Sequence, residues 1–319
     1  MEKNGSVSQH VFVTGGAGYL GSTLVPKLLS EGFFVTVFDV FNFGVYSLLS
    51  SIHDPKLKLV KGDIRDENAL ATALCDDVDV IVHLAALVGY PACDSNQQLA
   101  KEVNETGTYN ITRLLQPHQK LIFSSTGSCY GAVEGVCTEQ TPLCPLTLYG
   151  QTKVNGEHMV LQAGGIVYRF ATLYGISPRM RLDLLINDLT RRAIKESHIS
   201  IYEPKFRRTF LHVKDAANSI IFAINNYAAM SKNVFNVGDE RLNMTKLEAV
   251  ERICQFIPKC HISICDDGKD SDRRDYDVSY TKISKLGFRA SVDFDTGVKE
   301  LAAILPLVNE HEVNLYRNA

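Results

Sequence analysis

No apolar run in this chain of 319 residues is long enough to cross a bilayer; stretches such as Val78 to Val88 fall well short of the roughly 20 residues needed. Met1 to His10 is polar and lacks the apolar stretch of a secretion signal, so no membrane partner and a cytoplasmic location are expected. There is no charge run, no low-complexity tract and no internal repeat. A net charge of -3 leaves no electrostatic footprint for nucleic acid. None of the eight cysteines forms a CxxC pair, and no histidine cluster accompanies them at zinc spacing. Neither a metal nor a disulfide is therefore expected, and the thiols should be reduced and mostly buried.

What the chain does have is alternation. His10 to Thr14 is a short apolar strand that ends in a Gly-rich turn, and Tyr19 to Glu31 follows with Leu20, Val25, Leu28 and Leu29 on one helical face. Phe33 to Phe38 is a second strand, stopping at Asp39, so the first unit is βαβ, the building block of a parallel α/β sheet. Strands at 57–60, 78–84, 121–123 and 166–170 alternate with helices at 66–74 and 148–161, and with one long helix over 95–115 ended by Pro117. After about residue 172 the rhythm loosens and arginines gather at Arg179, Arg181, Arg207, Arg208 and Arg274. The expectation is a nucleotide-binding domain over 1–172 and a smaller α/β substrate lobe over 173–319, with a chain that can cross between them.

Gly15, Gly18 and Gly21 follow the first strand and open the first helix. Gly15 suits the tight turn, Gly18 a close approach to a pyrophosphate at the positive end of the helix dipole, and Gly21 the close packing of helix on sheet. The spacing is GxxGxxG rather than GxGxxG, so context carries the reading. Asp39 lies 24 residues after Gly15, where a carboxylate accepts from ribose hydroxyls and repels a 2'-phosphate; Val40 to Val45 hold no Lys or Arg to welcome one. NAD is thus favoured over NADP. Asp63 is placed to meet the adenine, or is only the Asp of a Gly-Asp turn.

Tyr149 and Lys153 lie four apart and share a helix face. A phenol is a poor base at neutral pH, but a neighbouring ammonium and a cationic nicotinamide ring favour its ionised form. The pair makes a general base. A hydroxyl at the end of a nearby strand completes the site; Ser124, Ser125 and Thr126 offer one, with Thr126 last in the strand. His83 and Tyr130 read more simply as packed side chains, although Tyr130 could line the pocket.

Gly15-Gly-Ala-Gly-Tyr-Leu-Gly21, Asp39, Gly62-Asp63, His83-Leu-Ala-Ala86, Ser124-Ser-Thr-Gly-Ser-Cys-Tyr-Gly131, Tyr149 with Lys153, Arg169, Tyr174-Gly175, and His212-Val213 with Asp215 resemble the extended short-chain dehydrogenase/reductase family, in particular its nucleotide-sugar epimerases and dehydratases. The resemblance implies a Rossmann-type doubly wound parallel sheet that holds NAD, a C-terminal lobe that holds a nucleoside-diphosphate sugar, and oxidation at sugar C4. It implies cofactor contacts from Gly15, Gly18, Tyr19, Leu20, Asp39, Asp63, Ile64, Leu84, Ala85, Ala86, Ser124, Tyr149 and Lys153, and a catalytic set of Thr126, Tyr149 and Lys153. Arg208 and Arg274 match diphosphate-binding arginines, the alternative for each being a surface ion pair, and Arg179, Arg181 and Asp183 are candidates for the sugar pocket. A homodimer through Leu114-Leu115 and the face of Thr147 to Leu161 is also implied. Leu84 to Gly89, Ile176 to Asp183 and Arg274 to Ser279 are similar to a subgroup containing GDP-heptose 4-dehydrogenases. Gly127 and Ser128 stand where the 4,6-dehydratases carry Asp-Glu, which disfavours elimination of water, and Ser128 also replaces the glutamate of the decarboxylases. Cys129 is out of register for the 3,5-epimerases. Oxidation at C4 remains, either as net dehydrogenation or as 4-epimerisation. The rival from another class is a dinucleotide-sensing module without catalysis.

Overall fold

A computed structural model describes residues 8–265, 275–309, 313 and 316–318. In chain order it contains β1 (His10–Thr14), α1 (Gly21–Ser30), β2 (Phe34–Asp39), β3 (Leu57–Lys61), α2 (Glu67–Ala73) and β4 (Val80–His83). Next come α3 (Tyr90–Ser95), α4 (Gln97–Lys101), α5 (Gly107–Leu114), β5 (Lys120–Thr126), β6 (Val136–Cys137), α6 (Leu148–Gln162) and β7 (Ile166–Phe170). Beyond these lie β8 (Thr172–Tyr174), α7 (Leu185–Glu196), β9 (His198–Ile201), β10 (Arg207–His212), α8 (Val213–Asn225), α9 (Tyr227–Met230) and β11 (Val234–Val237). The chain continues with β12 (Asn243–Thr245), α10 (Lys246–Phe256), β13 (His261–Ile264), β14 (Asp277–Val278), α11 (Thr281–Lys285) and α12 (Phe294–Ile304).

Among the described residues seven strands form one sheet in the order β11-β7-β5-β4-β1-β2-β3, every neighbouring pair parallel. This is the expected doubly wound sheet. The strand order reverses between β1 and β4, so the crevice at the carboxyl ends of those two strands is the natural place for a ligand. β4 and β7 are buried at every position, which explains why they read as mostly apolar runs, interrupted only by His83 and Arg169. Side chains of α1 (Leu24, Val25, Leu28) and α8 (Ala216, Ala217, Ile220, Ile224) share one core against one face; Phe12, Ile81, Ile111, Leu121 and Phe123 fill the other.

The smaller lobe uses β12-β10-β8 and the pair β13-β9, with α7, α10 and α12 around a second core of Ile186, Leu189, Phe210, Val250, Ile253, Phe294 and Val298. The division at residue 172 is crossed by the chain. α8 and β11 come from beyond it, yet α8 packs on the large sheet and β11 joins it, hydrogen-bonding β7 in the register Val234 to Val167.

The single helix expected over 95–115 is interrupted. α3 stands apart before it, and a π turn over Glu102–Thr106 separates α4 from α5. The physical reason is Asn104, buried at the turn. Its Oδ1 accepts from Leu87 N (2.8 Å), and its Nδ2 donates to Leu87 O (3.0 Å) and to Thr152 Oγ1 (3.0 Å). The widened turn lets one side chain pin the segment after β4 to α6, a common use of π turns at functional sites. Leu114, Leu115 and Leu161 pack against the core beneath the sheet.

Candidate active site

A cleft of about 730 Å³ opens at the strand-order reversal. It is lined by Gly15, Gly18, Tyr19, Leu20, Asp39, Asp63, Ile64, Leu84, Ala85, Ala86, Ser124, Thr126, Tyr149, Lys153, Arg179, Arg181, Asp183 and Arg208, which brings the residues singled out from sequence to one place. Arg274 lies outside the described residues.

The glycines divide their work differently from expectation. Gly15 has φ +73°, and a Cβ there would lie 2.7 Å from Ala85 N, so both the conformation and the approach of the chain after β4 require it. Gly21 packs the helix on its own loop rather than on the sheet: a Cβ would stand 2.4 Å from Gly15 O. The glycine that meets the sheet is Gly16, against Val37. At Gly18 a Cβ would meet only Gly15 O, at 3.2 Å, so this glycine leaves the cleft floor open. Leu20 is the N-cap of α1 and, being apolar, caps nothing. The helix ladder begins with Ser22 N donating to Gly18 O (2.9 Å), leaving Tyr19, Leu20 and Gly21 at the cleft ahead of it. An open floor at the positive end of a helix fits a dinucleotide's diphosphate.

Asp39 closes β2, and its carboxylate steadies the loop by accepting from Ala17 N (3.0 Å) and Phe41 N (2.8 Å). Burial raises its pKa, and those amides draw it back down. It lines the cleft with acceptor capacity left for ribose hydroxyls. Asp63 is the residue of a tight turn, accepting from Arg65 N (2.9 Å). The Arg65 side chain also grips it (Nη2 to Oδ2, 2.6 Å) and holds its carboxyl below the usual range. Tyr19 turns its hydroxyl away to donate to Gly175 O (2.7 Å), bridging the two lobes.

β5 ends at Thr126, and α6 starts nearby from Thr147, whose Oγ1 accepts from Gly150 N (3.2 Å). That cap fixes the first turn carrying Tyr149. Tyr149 is half-buried in the cleft wall, and burial pushes its pKa above the ordinary value; Arg181 pulls it back, with a smaller contribution from the Thr126 hydroxyl against it. Lys153 is itself buried, which lowers it to about 8, and its Nζ stacks 4.1 Å from the Phe123 ring centroid. Ser128 N donates to Thr126 Oγ1 (3.2 Å), and Gly127 and Ser128 bring no carboxylate.

Arg181 and Asp183 form a two-point pair (Nη2 to Oδ2, 2.5 Å) at the cleft wall. Arg208 is 3 % exposed and lines the cleft, whereas Arg207 is bound by Asp277 (2.5 Å). Tyr130 packs away from the cleft, donating to Asn236 Oδ1 (2.6 Å). Sequence reasoning missed Phe43, Arg65 and Asn318 in the lining. Phe43 carried a weak signal, an aromatic in the loop just after Asp39, and Asn318 carried none. Among the described residues no group of His, Cys, Asp and Glu could hold a metal, and no helix is long and apolar enough to cross a membrane.

His83 is the satisfied, packed histidine the sequence suggested. Thr108 Oγ1 donates to Asn104 O (2.6 Å), so it accepts from His83 Nε2 (3.0 Å); Nδ1 then accepts from Thr14 Oγ1 (2.8 Å). The ring is neutral, its pKa lowered to about 3 by burial and then by Lys153. Between that value and the unfolded one of about 6.5 the unfolded chain binds the extra proton, so this stability is full above about pH 6.5 and is lost as pH falls toward 3. Urea unfolding is expected to show a smaller loss of stability between about pH 7 and 5 in His83→Gln than in the wild type. Equal losses would remove His83 from the acid response.

Residues 11–238 match the model of the NAD dependent epimerase/dehydratase family. The chain belongs to that family. It is 30 % identical over 315 residues to a dTDP-glucose 4,6-dehydratase of Actinoplanes sp., covering 92 % of this chain and 96 % of the relative. It is 26 % identical over 306 residues to a putative UDP-glucose 4-epimerase of Methanocaldococcus jannaschii, covering 91 % and 96 %. A solved dTDP-glucose 4,6-dehydratase from Bacillus anthracis, in complex with NAD, is 27 % identical with a TM-score of 0.82, covering 97 % of this chain and 100 % of that one. As a member of the epimerase/dehydratase family the chain is an enzyme, not a dinucleotide-sensing module without catalysis.

Proposed function

We propose that this enzyme oxidises C4 of a nucleoside-diphosphate sugar with NAD and releases the 4-keto sugar without eliminating water. The observation that carries the reading is one cleft containing the Thr126, Tyr149 and Lys153 side chains beside the Gly-rich loop, with Gly127 and Ser128 at the two positions after Thr126. Asp183, which also lines the cleft, is already held by Arg181.

Asp39 holds the adenosine ribose, the open turn at Gly18 takes the diphosphate, and Lys153 holds the nicotinamide ribose. When bound, NAD supplies the acceptor for the C4 hydride and a cationic ring. Tyr149 takes the proton of the C4 hydroxyl, and Thr126 orients that oxygen by hydrogen bonding. Arg208 binds the substrate diphosphate, and Arg181 keeps a positive charge beside the phenol where ionisation is needed. The same reading carries a homodimer through α5 and α6, where Tyr109 is 51 % exposed.

Within the substrate class, the likeness of Leu84 to Gly89 and Ile176 to Asp183 to the GDP-heptose 4-dehydrogenases supports a GDP-heptose. The likeness over 91 % of the chain to a protein named as a UDP-glucose 4-epimerase favours a second reading, in which the hydride returns to the other face. Incubation with UDP-, GDP-, CDP- and dTDP-sugars, followed at ~340 nm and by NMR, separates the two. Accumulating NADH and ketone from a GDP-heptose supports the first. Inversion at C4 without lasting NADH replaces it with the second.

Asp39→Ala is expected to weaken NAD about 10- to 100-fold, the size of a hydrogen-bonded charge, and to narrow the preference over NADP because the 2'-phosphate is no longer repelled. Calorimetric titration with both nucleotides checks it, and an unchanged preference would take Asp39 off the ribose.

A further inference from the structure

We propose that Arg179, stacked on Phe43 and backed by Tyr316–Asn318, grips the diphosphate of the dinucleotide from the side facing the Gly-rich loop, making a two-sided clasp; the inference rests on the reading of the cleft as an NAD site. Sequence alone put Arg179 in the sugar pocket. Its tethers run elsewhere. Ser177 Oγ donates to Tyr19 O (2.6 Å) and lies 2.9 Å from Ser22 Oγ, and Arg179 N donates to Ser22 Oγ (3.2 Å). The backbone of Arg179 is thus fastened to the first turn of α1, beside the uncapped amides at the cleft.

The side chain stays on that side. Its guanidinium lies 3.6 Å from the Phe43 ring centroid, four residues beyond Asp39. The stack holds the planar fork in one orientation over the loop that follows the ribose-binding carboxylate. From behind, Nη2 donates to Arg317 O (3.2 Å), and Tyr316 O accepts from Leu182 N (2.7 Å), which docks this segment on the lobe.

The polar balance of the site is incomplete. Arg179 is 5 % exposed and lines the cleft, yet its Nε is buried without a hydrogen-bond partner, as is Asn318 Oδ1. Leaving a buried charged donor unmet costs about 1–3 kcal/mol or more, so the site is built for an acceptor that arrives with a ligand. Two guanidiniums, Arg179 and Arg181, face a single carboxylate, Asp183. Burial and the neighbouring Arg181 bring the Arg179 pKa down to about 10, the mark of an under-compensated cation. A diphosphate supplies the missing charge and the oxygen acceptors, and it suits both a helix amino end and an arginine fork. The sugar nucleotide carries the same group, but the tethers to α1 and the stack on Phe43 favour the dinucleotide as its source.

The test is calorimetric titration of wild type, Arg179→Met and Phe43→Leu with NAD, ADP-ribose, AMP, GDP and UDP. Arg179→Met is expected to weaken NAD and ADP-ribose about 10- to 100-fold while AMP, GDP and UDP change less than about twofold. Phe43 is 49 % exposed, so Phe43→Leu leaves the core intact; loss of the stack is expected to weaken NAD about two- to fivefold. Unchanged NAD with weakened GDP or UDP would put Arg179 on the substrate and overturn the clasp. An equal loss for AMP would reduce Arg179 to a packing role and overturn it too. A wild type that binds no NAD, by contrast, sinks the cofactor reading itself.

Discussion

Tyr149→Phe is expected to lower kcat by about 10²- to 10⁴-fold and to leave NAD affinity within about twofold. Tyr149 is half-buried in the cleft wall with the Thr126 hydroxyl against its phenol. Phenylalanine fills the same volume, so the variant loses one oxygen and little else. That oxygen is the group offered to the C4 hydroxyl proton. Burial alone would hold the proton on the phenol, and Arg181 opposes it. The loss should therefore appear in kcat, measured by NADH formation, with the cofactor titration unaltered. Turnover at the wild-type level would end the assignment of Tyr149 as the base.

The second large effect is on stability. Glu157 follows Lys153 by one turn of α6 and is 1 % exposed; Arg169, in β7, is 5 % exposed. They are bonded Nη2 to Oε2 at 2.6 Å and Nε to Oε1 at 3.0 Å, and Ser125 Oγ donates to the same carboxylate at 2.5 Å. Arg169 Nη1 also donates to the Tyr130 hydroxyl (3.2 Å). Glu157→Ala strands a buried guanidinium and is expected to destabilise the protein by about 3–5 kcal/mol in urea unfolding. The double variant Glu157→Met with Arg169→Met removes both charges and should lose clearly less than the single one. A double variant as damaged as the single would mean that packing, not charge, governs this site.

The parallel sheet was legible because β4 and β7 are buried throughout and read as mostly apolar runs. The cleft was legible because its glycines, Asp39, Tyr149 and Lys153 sit at short, fixed spacings on consecutive elements. What escaped was contact across the sequence. Arg169 drew notice as a motif residue, yet nothing local marks Glu157 as its partner, since α6 and β7 meet only once folded. The π turn depends on Asn104 finding Leu87, and the seat of Arg179 on Ser22 and Phe43 joins segments more than 130 residues apart. The place of the Lys153 ammonium was hidden for a related reason. Spacing gives the shared helix face, but the side chain's rotamer over Phe123 is a matter of tertiary packing.

β11 has a consequence for biosynthesis. A chain leaving the ribosome has β7 in hand roughly 60 residues before its outer neighbour, and it must thread β8 to β10 and α8 in between. Until Val237 emerges, β7 is a mostly apolar strand with one raw edge, open to any passing strand. Slow translation across that interval, or a chaperone that shields the edge, would raise the yield of native enzyme, and the dinucleotide domain matures only after much of the substrate lobe has been made.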